Sequence, residues 1–73
     1  MIGNDKFAWD LADMNGVRPQ IGDCVLYRSY SMKICKIEGF YIERNKKFIS
    51  LNCGGLYLEG ISDYSFKLNC EII

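Results

Sequence analysis

Four cysteines, nine lysines and arginines, five tyrosines and one tryptophan are the side chains with which these 73 residues could do chemistry, and histidine is absent. Thiolates can ligate zinc, pair as disulfides, or pack as small hydrophobes. Cys24, Cys35, Cys53 and Cys70 are more than ten residues apart, whereas zinc sites pair ligands two to four residues apart on a knuckle. A zinc site is therefore not expected. Each cysteine lies two residues from an aliphatic: Cys24 from Leu26, Cys35 from Ile37, Cys53 from Leu51, Cys70 from Leu68. On strands, each pair shares a face, and free cysteine is among the residues most often buried. Four buried, reduced thiols are the expectation. Two disulfides are the alternative if the chain meets an oxidising compartment.

No serine or cysteine sits in a nucleophile motif, and Gly54-Gly55 leads into a strand rather than into the phosphate-holding turn of a helix. The chain reads as a non-enzyme with no cofactor. Two surfaces remain. Arg44, Lys46 and Lys47 cluster at one turn, and Arg28, Lys33 and Lys36 flank a loop, with Tyr27, Tyr30 and Tyr41 among them. Rings that stack on bases, interleaved with cations that meet phosphates, suit single-stranded nucleic acid. Lysines also protect strand edges and fill turns, and Glu38, Glu43 and Glu59 dilute the patch. The second surface is aromatic. Ten aromatic residues exceed what one small core can enclose, so some of Trp9, Tyr27, Tyr30, Tyr41 and Tyr57 are expected on the surface as partner contacts.

Nine acidic residues balance nine basic ones, which excludes the strong positive field of a nonspecific DNA binder and the negative field of a DNA mimic. Nearly half the residues are hydrophobic, enough for one core, although a chain this short buries only about 60% of its unfolded surface. Met1-Ile-Gly-Asn-Asp carries no basic segment ahead of an apolar stretch, and no run approaches the length of a membrane span. A cytoplasmic location without membrane contact is expected.

These side chains need elements to position them. Residues 5–14 read as a short helix: Asn4 or Asp5 caps it, Phe7, Leu11 and Met14 share a face, and Asn15-Gly16 closes it. Too short to stand alone, it would cover the barrel or a second copy, with a monomer favoured over a homodimer. Pro19 and Gly22-Asp23 then lead into a strand over about 23–28. Residues 32–43 form a long extended segment whose alternation changes phase, from Cys35 and Ile37 to Phe40 and Ile42. A bulge or bend at Gly39 would bring both sets to the core. Arg44-Asn-Lys-Lys47 reads as a turn, and Gly54-Gly55 as a two-residue hairpin between strands 48–53 and 56–59. Residues 60–63 make a turn, and the alternation of Tyr64, Phe66, Leu68 and Cys70 predicts a final strand over 64–73.

Pro19-Gln-Ile-Gly-Asp-Cys-Val-Leu26 resembles the opening strand of Tudor-, KOW- and SH3-type barrels. Gly60-Ile-Ser-Asp-Tyr-Ser-Phe-Lys-Leu68 is similar to the one-turn helix and last strand of SH3 domains. The resemblance covers under a third of the chain and implies a mainly β fold: a five-stranded SH3-like small barrel over 19–73 behind a short N-terminal α-helical arm over 1–18. No tryptophan stands at the groove position, so proline-rich peptide binding is not implied. The helical arm ahead of the barrel is also similar in style to small phage-encoded proteins of this type. The function expected is a protein-interaction module, such as a phage accessory protein acting on a host protein, with a nucleic-acid-binding barrel as the alternative.

Overall fold

The computed structural model describes residues 11–28, 32–55 and 58–73. Five strands, β1 (Cys24–Arg28), β2 (Met32–Glu43), β3 (Lys46–Asn52), β4 (Leu58–Ser62) and β5 (Cys70–Ile72), form one antiparallel sheet, and a helix, α1 (Asp63–Asn69), separates β4 from β5. The sheet order is β4-β3-β2-β1-β5, so β4 and β5 are its edges and it does not close by strand pairing.

The phase change in β2 has the cause its sequence suggests. Ile37 stands opposite Leu51 and Gly39 opposite Ser50, which leaves Glu38 as the extra residue of a bulge. Cys35 and Ile37 before it, and Phe40 after it, all reach the core. Ile42 does not: its cross-strand neighbour is Lys47, at the hairpin end beyond the core, and it is 61% exposed. The hairpin itself turns on Arg44 (φ 53) and Asn45 (φ 64) alone, the double positive φ of a two-residue turn that matches sheet twist. Lys46 and Lys47 therefore belong to β3 and not to the turn.

Three expectations near the C-terminus are corrected. The β3–β4 connection spans residues 53–57, between the paired Asn52 and Leu58, so Gly54-Gly55 is not a two-residue hairpin. Gly60-Ile-Ser62 continues β4 instead of turning, Gly60 pairing with Ser50, Ile61 with Ile49 and Ser62 with Phe48, and a glycine fits there because a Cβ at position 60 would collide with the hydroxyl of Tyr41. Residues 63–69 are helical, not extended. Ser62 caps that helix, its Oγ accepting the Ser65 N–H at 3.1 Å, and Phe66 and Cys70, four residues apart, are both buried. That spacing serves a helix as well as a strand. The other two members of the alternation, Tyr64 and Leu68, are 70% and 55% exposed.

At the other end, Leu11 is buried in the core, yet residues 11–13 are not helical and Met14-Asn15 is a turn. The expected helix thus does not extend over 11–14, and Met14 is exposed rather than packed with Leu11; residues 5–10, with Phe7, lie outside the described residues. What fixes this segment is Asp13, which is 1% exposed. Its Oδ1 accepts the N–H groups of Asn15 and Val17, each at 2.8 Å, and its Oδ2 accepts that of Ile72 at 2.8 Å. The Met14 N–H donates to the Cys70 carbonyl at 3.0 Å, so the segment is fastened to β5.

Candidate interaction face

An antiparallel sheet with one face on a core ordinarily turns polar residues outward. Here the core face takes Val25 and Tyr27 from β1, Cys35, Ile37 and Phe40 from β2, Ile49 and Leu51 from β3 and Ile61 from β4. The ladder register then fixes what the opposite face carries. Leu26 stands across from Ile34, Arg28 from Met32, and Tyr41 from Phe48. Ile34 and Met32 are 61% and 62% exposed. Beside them Ile73 continues β5, its N–H donating to the Cys24 carbonyl at 3.0 Å, and it too is exposed.

Polar groups border these apolar residues. Arg28 Nη2 lies 2.7 Å from Glu71 Oε1 in a partly exposed ion pair, worth little to stability in water but enough to hold the arginine against the sheet. Toward the other end of the face, Tyr41 and Phe48 stack with ring centroids 5.2 Å apart at 14°, and Tyr41 keeps 39% exposure. Its hydroxyl reaches across β3 to Gly60 of β4. The result is an aliphatic cluster over β5, β1 and β2 and a fixed aromatic pair over β2 and β3, both on the face turned from the core.

Of the aromatic residues expected at a partner surface, Tyr41 lies on this face. Tyr27 belongs to the core at 8% exposure, because its position in β1 shares the parity of Val25, and it offers no ring to a partner. Trp9, Tyr30 and Tyr57 lie outside the described residues. Sequence reasoning missed Leu26, Met32, Ile34 and Phe48. The signal was present: Met32-Lys-Ile-Cys-Lys-Ile37 has apolar residues on both parities, and a strand so written is apolar on both faces.

The six cationic positions do not converge. Arg28 and Lys33 lie at the β1–β2 end and Arg44, Lys46 and Lys47 at the β2–β3 end of the 12-residue β2, on the order of 30 Å apart along the strand at about 3.3 Å per residue. Arg28 is ion-paired, Lys46 stands across from Glu43, and Lys36, between the two groups, neighbours Cys24 and Asn52.

The cysteines divide. Cys24 is exposed on the outer face, against the expectation of four buried thiols, because Val25 and Tyr27, not Leu26, point into the core. Cys35 and Cys70 are buried and Cys53 is half-buried against the core. All four are free thiols, and Cys35 Sγ lies 2.7 Å from Cys53 Sγ. Burial, reinforced by the Cys53 sulfur, pushes the Cys35 thiol up to about 12. Burial does the same to Cys70, helped by Cys53 and by the carboxylates of Asp13 and Glu59. Among the described residues no group of three or more His, Cys, Asp or Glu side chains is placed to hold a metal ion, and no helix is long and apolar enough to cross a membrane.

No protein-family model matches the chain, and comparison with curated proteins and with solved structures likewise finds no match.

Proposed function

We propose that this protein is a non-enzymatic interaction module that binds another protein through the outer face of its sheet. The observation that carries the reading is the cluster of apolar residues on that face, Leu26, Met32, Ile34 and Ile73, bordered by the Arg28–Glu71 pair, with the Tyr41–Phe48 stack further along the same face. Exposed apolar surface rimmed by polar residues is characteristic of protein-binding sites, and tyrosine and arginine, which this face carries toward its opposite ends as Tyr41 and Arg28, are typical of the residues that dominate their energetics. Zero net charge and cations divided between the two ends of β2 favour a protein over a nucleic acid.

The finer fold reading is that of an SH3-like small barrel. The strand order, the β2 bulge that bends the sheet and the short helix ahead of the last strand support it. It bears on architecture and leaves the partner to the chemistry of the face.

The test is capture on immobilised protein after nuclease treatment, and the resemblance to small phage-encoded barrels makes a bacterial lysate the first to use. The expected result is one specifically retained protein that binds the purified module directly. Ile34→Asp should weaken that binding about tenfold or more, whereas Ile42→Asp, exposed away from this face, should leave it unchanged. Retention that vanishes with nuclease, or that is indifferent to Ile34→Asp, would overturn the reading. So would concentration-dependent self-association abolished by Ile34→Asp, which would make the occupant a second copy.

A further inference from the structure

We infer that Cys35 and Cys53 are a site of reversible disulfide formation, closed by exchange with a small-molecule disulfide. Lys36 of β2 pairs with Asn52 of β3, so in the antiparallel register Cys35 faces Cys53, one step beyond. Directly opposed residues have Cα atoms about 4.5–5.5 Å apart, inside the range of about 4.4–6.8 Å that a disulfide spans. The sulfurs are already 2.7 Å apart, and bonding at about 2.05 Å requires a movement of only about 0.7 Å. Cys24, on the opposite face, is not part of this arrangement.

The two thiols differ in access, and that sets the order of events. Cys35 is 2% exposed, while Cys53 is half-buried at the end of β3. Cys53 is the thiol an external disulfide reaches. Its thiolate attacks one sulfur of the oxidant, forming a mixed disulfide and releasing one small-molecule thiolate. Cys35 then gives up its proton and attacks Sγ of Cys53, expelling the second small-molecule thiol. In sum, two protein thiols and one disulfide become one protein disulfide and two thiols; the protein sulfurs lose two electrons and the oxidant gains them. The elevated Cys35 thiol is a poor nucleophile toward reagents in solution, but next to a Cys53 mixed disulfide its reaction is intramolecular. The product ties β2 to β3 where the chain leaves for β4.

The folded protein is incubated with oxidised glutathione, and intact mass and non-reducing peptide mapping are recorded. The expected product has lost two hydrogens, carries a single Cys35–Cys53 link, and regains its mass in dithiothreitol. In denaturant, alkylation falls from the four labels of the reduced chain to two. A variant carrying Cys24→Ser and Cys70→Ser, which retains both proposed partners, should give the same link, and Cys53→Ser should give none. Glutathione adducts alone, or a Cys53–Cys70 link in the wild-type protein, would overturn the assignment.

Discussion

The Ile72 N–H donates to Oδ2 of Asp13 at 2.8 Å, across 59 residues of sequence, from a carboxylate that is only 1% exposed. The other oxygen holds the turn of its own segment through Asn15 and Val17. One side chain thus orders the chain ahead of the sheet and pins it to an edge strand that is only three residues long. Asp13→Ala would leave three backbone donors without this acceptor. The expected loss is about 3 kcal/mol, from buried donors left unsatisfied and hydrogen bonds to a charged group removed. Asp13→Asn, which keeps one carbonyl acceptor, should lose less. Chemical denaturation of both variants measures the difference, and equal stability of wild type and Asp13→Ala would refute the role.

Gly60 and Tyr41 are coupled across β3. A Cβ at position 60 meets the Tyr41 hydroxyl first, with the ring carbon bearing it next at 3.1 Å, and Tyr41 can yield only by disturbing its stack on Phe48. Gly60→Ala is expected to cost about 1 kcal/mol, as mild overpacking does. Combined with Tyr41→Phe, which removes the colliding oxygen, it should cost less than the sum of the single changes. A double-mutant cycle on thermal denaturation reads the coupling, and strict additivity would show that the ring moves aside freely.

The raised thiols predict an alkaline limit. Cys35 and Cys70 ionise at about 12 in the fold against 9.0 ordinarily, because burial disfavours the thiolate. The folded state therefore holds these protons when the unfolded chain has begun to lose them. Their contribution is fully present below pH 9 and is lost as pH rises from about 9 to about 12. Cys70→Ala should flatten part of that decline relative to wild type, with reductant present throughout. Identical slopes for the two proteins would exclude Cys70 as a source.

Much of the sheet could be read from the chain. The opening strand and the phase change in β2 are local signals that recur in the structure nearly as expected, and the hairpin that follows recurs with a tighter turn, Arg44-Asn45 in place of Arg44 to Lys47. The errors fall where one local pattern admits two structures. Phe66 and Cys70 are four apart, so they satisfy a strand's even period and a helix's turn alike, and the capping hydroxyl of Ser62 decides for the helix. Gly60 signals a turn in isolation; its pairing with Ser50 makes it a strand residue, and the Tyr41 side chain, distant in sequence, takes the space a Cβ would need. Of the face, Tyr41 is among the residues expected at a partner surface, and Cys35 and Ile37 reach the core as their alternation suggests; the opposite parity, Met32 and Ile34, is as apolar as the buried one, and that is the local signal of the outer face. Asp13 was overlooked, although Asp13-Met-Asn-Gly16 carries the signature of an Asx turn.

The helical reading of residues 63–69 can be tested one side chain at a time. A strand would bury Tyr64, Phe66 and Leu68 on one face, so all three would be sensitive to truncation. In the helix Phe66 alone of the three is buried, at 0% exposure. Phe66→Ala should cost about 3–5 kcal/mol, as loss of a fully buried phenylalanine does, which in a domain this small approaches the whole stability. Phe66→Leu keeps enough volume to fold and should fall between. Tyr64→Ala and Leu68→Ala remove exposed side chains and should each change stability by less than about 0.5 kcal/mol. Ser62→Ala, which removes the acceptor for the Ser65 N–H, should cost about 1 kcal/mol as loss of a helix cap. A Leu68→Ala penalty comparable to that of Phe66→Leu would require the extended alternative; a penalty confined to Phe66 and Ser62 requires the helix.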